Sequence, residues 1–190
     1  MTTIHELLDE YARMARDTRE KGLLLERLTR AYLLADPVWT ARFDEVWLWQ
    51  DWPGRDGKVD TGIDLVARES YGGGFCAIQC KFFAPEYAIQ KGDIDSFFTA
   101  SGMHPFTSRI VVSTTKRWSK HAEDALVGQQ VKTARIGIDD LAASDIDWSG
   151  YTLARPDELE RAAPKRLRAC TSRTPWRMSE PGSRNPPAAS

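Results

Sequence analysis

The chain has 190 residues, 42% hydrophobic and 28% charged, with a formal net charge of −1. This length suits one domain with a sizeable core, and near-neutrality excludes a globally basic nucleic-acid binder, so any such site has to be a local patch. Three cysteines without a His/Cys cluster exclude a disulfide framework and a zinc knuckle.

In chain order, "TIHELLDEYARMARDTREKG" predicts an amphipathic helix, with Ile4, Leu7, Leu8, Tyr11, Met14 and Ala15 at helical spacing and Thr3 with Glu6 as a capping box. "LLLERLTRAYLLADP" predicts a second helix on the stripe Leu24, Leu28, Ala31 and Ala35, ended by Pro37. "FDEVWLWQDW", "TGIDLVA" and "FCAIQCKFF" read as three strands of a meander, joined by "WPGRDGK" and by "RESYGGG". "DIDSFFTASG" predicts a helix with Asp93 as N-cap and Gly102 as stop. "SRIVVST" is a buried strand, "SKHAEDALVGQQ" a helix capped by Ser119, "KTARIGI" a strand and "DDLAAS" a short helix. The fold class expected is therefore α/β, a mixed sheet flanked by helices.

The division expected is an N-terminal helix over 1–20, a main domain over 21–150 and a tail over 151–190. Residues 155–190 carry eight Lys and Arg against four Asp and Glu. Rich in Pro, Ser and Arg, the tail is expected to be disordered. The N-terminus has no signal-peptide pattern, and no run approaches the roughly 18 apolar residues of a membrane span. The expected compartment is the cytoplasm, with no membrane partner.

Side chains alternate along a strand, so Gln79 and Lys81 share one face of their strand with Ala77, while Cys76, Ile78 and Cys80 share the other. Asp64 emerges opposite Ile63 and Leu65, and pairing of the two strands brings it to Gln79 and Lys81. A buried ammonium is rare without a partner. A carboxylate, an amide oxygen and a lysine make a seat for a hard cation and its water, and Mg²⁺ prefers such oxygen ligands.

"GID" followed by "QCK" resembles the Mrr-like branch of the PD-(D/E)XK nucleases, in which glutamine often replaces the second acid. More closely, "LWQDWPGRDGKVDTGIDLVA", "AIQCKFF" and "DIDSFFTASG" resemble the N-terminal nuclease domain of type ISP restriction–modification enzymes and related large helicases, from about Lys21 to Trp148. The resemblance implies a restriction-endonuclease-like fold and a magnesium-dependent endonuclease acting on double-stranded DNA, with Mn²⁺ able to substitute. It implies Asp64, Gln79 and Glu26 as metal ligands and Lys81 as the residue that positions or activates the attacking water. It leaves open a homodimer, or association with motor and methyltransferase modules. "APKRLR" (163–168) begins as the lead into such a motor and then departs from it, which suggests a truncated or frame-shifted relative.

Other readings stay open from the residues alone. Asp64 and Lys81 could form a structural ion pair, Gln79 a satisfied buried amide, Glu26 a solvated helix residue and Asp60 either a turn former or a second ligand. Lys116, Arg117 and Lys120, between a strand and a helix, could contact phosphates or line a solvated loop. Trp52 packs in the core or stacks on a base. At the level of function, the rivals are a DNA-binding module with little cleavage of its own and a repair nuclease on the same fold.

Overall fold

The computed structural model describes residues 2–57 and 62–151. Asp60 and the tail beyond Tyr151, including Cys170 and the "APKRLR" stretch, lie outside the described residues.

Helix α1 (Ile4–Met14) starts at the expected capping box: Thr3 accepts from the Glu6 amide and the Glu6 carboxylate accepts from the Thr3 amide. It buries Ile4, Leu7, Leu8 and Tyr11, but Met14 is exposed. The chain breaks at 15–17, earlier than the sequence suggested, because Asp17 caps a new helix by accepting from the Glu20 amide at 2.8 Å. Helix α2 (Thr18–Ala35) then runs straight through Gly22. The boundary expected after residue 20 therefore falls inside a continuous helix, and α1 shares the main core. The buried stripe of α2 centres on Leu25, Leu28, Ala31, Tyr32 and Ala35, with Leu24 only half-buried.

Pro37 does not merely end α2. Asp36 caps both ways, and Pro37 is the first residue of α3 (Pro37–Arg42), where its missing N–H costs nothing. The meander follows as expected: β1 (Phe43–Leu48), β2 (Leu65–Glu69) and β3 (Phe75–Lys81) pair antiparallel. A two-residue strand β4 (Ala88–Ile89) precedes α4 (Asp95–Ser101). Asp93 caps the 3-10 turn before α4 rather than α4 itself, its carboxylate accepting from the Gln90 amide, while Gly102 ends α4 as expected.

Strand β5 (Phe106–Ser113) runs parallel to β3, and β7 (Lys132–Gly137) runs parallel to β5. The sheet order is β1-β2-β3-β5-β7. The strand β6 (Arg117–Trp118) pairs with β4 in a separate small sheet, too short to carry a sequence pattern. Helix α5 (Lys120–Leu126) begins at Ser119, whose hydroxyl accepts from the Ala122 amide, and α6 (Ile138–Ala143) closes the described fold.

The sheet has two buried faces. Leu65, Cys76, Ile78, Cys80, Ile110 and Val112 pack against α1, α2 and α6. Val66, Ala77 and Val111 pack against α4 and the Trp49–Trp52 corner. Each fully buried Leu or Ile contributes about 1.5–3 kcal/mol, so both layers hold the sheet rigid beneath whatever stands at its strand ends.

Candidate active site

The candidate residues meet where β2 begins and β3 ends. Asp64 immediately precedes β2, yet its backbone is held on both sides: its N–H donates to Ile78 at 2.9 Å and its carbonyl accepts from Trp49 at 2.8 Å. Its carboxylate Oδ2 accepts from the Cys80 backbone N–H at 2.6 Å. That amide lies between Gln79 and Lys81, so one hydrogen bond ties the aspartate to the QxK strand.

Strict alternation had placed Asp64 opposite both Ile63 and Leu65. In fact Ile63 packs on the α4 face and Leu65 on the α2 face. Alternation therefore fails at Asp64, just outside β2, and shortly before it Gly62 turns the chain with a φ of +82°. A Cβ at Gly62 would stand 2.9 Å from Ser96 Oγ and 3.2 Å from Gln79 Nε2, so this position is closed to a side chain.

Gln79 is 2% exposed. Its Nε2 donates to the Gly62 carbonyl at 2.9 Å, which fixes the amide and leaves Oε1 buried with no hydrogen-bond partner among the described residues. A satisfied structural amide would not leave its oxygen orphaned.

Lys81 ends β3, half-buried, and no carboxylate lies within ion-pair distance of its ammonium among the described residues. The Asp64–Lys81 ion pair is therefore not the arrangement found. Glu26 comes from α2. One turn further on, Thr29 contacts Cys80 Sγ at 3.5 Å, so α2 crosses the sheet at this strand end. The Cys80 thiol is pushed well above its ordinary range, first by burial and then by Asp64, with Glu26 adding to the rise and Lys81 opposing it. Asp64, Glu26 and Lys81 thus all act electrostatically on one sulfur. Asp64 and Glu26 also line one cleft of about 410 Å³.

The two carboxylates and the orphaned amide oxygen are all oxygen donors, of the kind that suits a hard cation such as Mg²⁺ better than Zn²⁺. No group of three His, Cys, Asp or Glu side chains is gathered for a metal among the described residues.

The other candidates differ in their surroundings. Lys116 is paired with Asp139, while Arg117 on β6 and Lys120 at the start of α5 are exposed beyond the C-terminal end of β5. Trp52 is 5% exposed and packs on Trp49, Phe75 and Phe106, so it is a core residue and not a stacking platform. Cys76 and Cys80 are buried core thiols, as expected. Sequence reasoning missed Arg19, Gly22 and Arg55, which line the cleft with Glu26 and Asp64. The signal was present in part, since residues 19, 22, 23 and 26 share one helical face.

A five-stranded mixed sheet, covered by helices on both faces and carrying a D…QxK cluster at its strand ends, defines a restriction-endonuclease-like domain. The family model Mrr_cat_2, described as a restriction endonuclease, matches residues 34–158, and the chain belongs to that family. The match includes Asp64, Gln79 and Lys81 and begins after Glu26. Among solved structures the chain is similar to the ATP-dependent type ISP restriction–modification enzyme LlaBIII bound to DNA, at 30% identity over 89% of this chain with a TM-score of 0.70. It spans only 10% of that enzyme. More distant likenesses are MspJI restriction endonuclease in complex with a 27-mer oligonucleotide (20% identity, 72% of this chain and 30% of that one, TM-score 0.47) and the DNA modification-dependent restriction endonuclease AspBHI (17% identity, 72% and 33%, TM-score 0.45). No curated protein matches the chain. No helix among the described residues is long and apolar enough to cross a membrane.

Proposed function

We propose that this domain is a PD-(D/E)XK deoxyribonuclease that hydrolyses phosphodiester bonds of double-stranded DNA with Mg²⁺ as its cofactor, Mn²⁺ being able to substitute. The observation that carries this reading is the Gln79 Oε1, buried and without a partner among the described residues, beside the bond that fixes Asp64. Asp64, Gln79 and Glu26 would hold the cation. When bound there, it supplies a lowered pKa for water and charge withdrawal from the phosphoryl oxygens.

The side chains do the rest. Asp64 is pre-oriented by the Cys80 amide, and Gln79 by the Gly62 carbonyl, so little reorganisation accompanies binding. Lys81 stands without an ion-pair partner among the described residues at the end of β3, where its ammonium can orient the attacking water and offset charge building on the phosphoryl group. Glu26 supplies the negative charge that a glutamine at position 79 does not. Together the two carboxylates, the ammonium and a divalent cation give the site a net positive charge toward a phosphodiester.

One such site cuts one strand at a time, so a double-strand break requires a second copy or a second engagement. A homodimer, or work beside a motor or methyltransferase module, fits this reading, and the cytoplasm is the compartment it implies. The test is nicking of supercoiled plasmid by the purified chain in Mg²⁺ and in EDTA, with Asp64→Asn beside the wild type. Metal-dependent cleavage lost in the variant is the result expected. Equal cleavage by the variant, or none by the wild type, contradicts the proposal.

A further inference from the structure

The cleft that holds Asp64 and Glu26 is also lined by two arginines. Arg19, in the first turn of α2, and Arg55, in the 3-10 turn after β1, both line it. They come from segments far apart in sequence. Arg19 is exposed and makes no hydrogen bond or ion pair among the described residues. A cleft built only of two carboxylates would repel a polyanion, and two arginines offset that charge, bringing the lining to formal neutrality before any cation is bound.

Gly22 gives an independent pointer. It lies inside α2, where glycine is unfavourable relative to alanine. Its φ is not in the left-handed region, and nothing in the fold crowds it: the one atom within 4 Å of a Cβ built there is Glu26 Oε1, at 3.9 Å. Neither backbone conformation nor packing asks for glycine. The space it leaves open is the cleft itself, directly over Glu26.

We infer that the α2 face formed by Arg19 and Gly22, together with Arg55 across the cleft, is the seat of the DNA sugar–phosphate backbone. Arg19 and Arg55 each hold a phosphate next to the one attacked, and Gly22 lets the strand approach the helix closely enough to reach Asp64. This rests on the nuclease reading, but it concerns grip on the strand and can be measured without cleavage.

The experiment is fluorescence anisotropy of a labelled 30-base-pair duplex in Ca²⁺, titrated at several salt concentrations. The proteins are wild type, Arg19→Ala, Arg19→Lys, Arg55→Ala, Gly22→Leu and, at the opposite end of the sheet, Lys132→Ala. Arg19→Ala and Arg55→Ala should each lower the slope of log K against log salt by about 0.9, the value for one phosphate contact. Arg19→Lys should keep the slope, and Lys132→Ala should match the wild type. Gly22→Leu should weaken binding at least ~10-fold while raising Tm by about 2 °C, since leucine is the better helix former. That opposition of signs separates a blocked seat from a damaged fold. Wild-type slopes in both arginine variants, or wild-type affinity in Gly22→Leu, would overturn the inference. If the wild type cuts plasmid and these variants still bind as it does, the inference alone fails; if the slopes fall but nothing cuts, the inference stands and the catalytic reading fails.

Discussion

Gln79→Glu reports most on how the site is built. It restores the commoner acidic residue of the superfamily, so sequence reasoning alone expects a gain in metal binding. The structure adds a cost. Gln79 Nε2 donates to the Gly62 carbonyl at 2.9 Å in a position that is 2% exposed. A glutamate places an acceptor against that carbonyl, losing one hydrogen bond and leaving two buried oxygens facing each other. Loss of the bond and the unsatisfied groups together cost about 2–3 kcal/mol without metal, or a fall in Tm of roughly 4–10 °C for a domain of this size. A divalent cation supplies the missing partner, so Mn²⁺ should raise the Tm of the variant more than that of the wild type. Thermal melts in EDTA and across a Mn²⁺ series measure both effects. Combined with Glu26→Ala, the substitution should be non-additive in Mn²⁺ affinity, because both carboxylates serve one cation. A wild-type Tm in EDTA would refute the amide–carbonyl lock, and strict additivity would place Glu26 outside the site.

Asp64→Asn should abolish cleavage with little loss of stability, since an amide oxygen can still accept from Cys80, whereas Asp64→Ala should also destabilise by about 1–3 kcal/mol in chemical denaturation. Lys81→Met should lower cleavage at least ~100-fold while calorimetry finds Mn²⁺ affinity unchanged, because lysine is not a ligand. Gly62→Ala should destabilise by about 2–3 kcal/mol and displace Gln79, given a φ of +82° and a Cβ 2.9 Å from Ser96 Oγ; a wild-type denaturation midpoint would show that the turn relaxes freely. Burial pushes the Cys76 thiol up to about 12 and Cys80 well above its ordinary range, so neither should be alkylated by iodoacetamide at pH 8 in the folded protein, and both should react in denaturant, as peptide mapping would reveal.

The meander, the buried parallel strand and the helix caps at Thr3 and Ser119 were legible because each rests on local chemistry: alternation, β-branched runs and a hydroxyl before a helix. The start of α2 was not, because Gly22 resembles a stop while the true signal was Asp17 followed by Glu20. Pro37 does follow the end of α2 as expected, but the short helix that starts there was missed for a related reason, since a proline that ends one helix is equally suited to the first position of the next. At the site, residue types and their common strand end were readable. The means of fixing them were not: the carboxylate on the Cys80 amide and the Gln79 amide on Gly62 are side-chain to backbone bonds between neighbouring segments, which no periodicity records. Arg55 escaped notice because the cleft is assembled from α2 and a turn beyond β1, and composition does not say which distant segments face each other.

The central claim is that Asp64, Gln79 and Glu26 share one divalent cation. Anomalous diffraction from a crystal of this chain soaked in Mn²⁺ tests it directly. The account predicts a single strong peak in the cleft, within coordination distance of an Asp64 carboxylate oxygen and Gln79 Oε1 and joined by Glu26 directly or through water. A peak elsewhere, or a Gln79 Oε1 hydrogen-bonded to protein with the ion absent from the cleft, would contradict it.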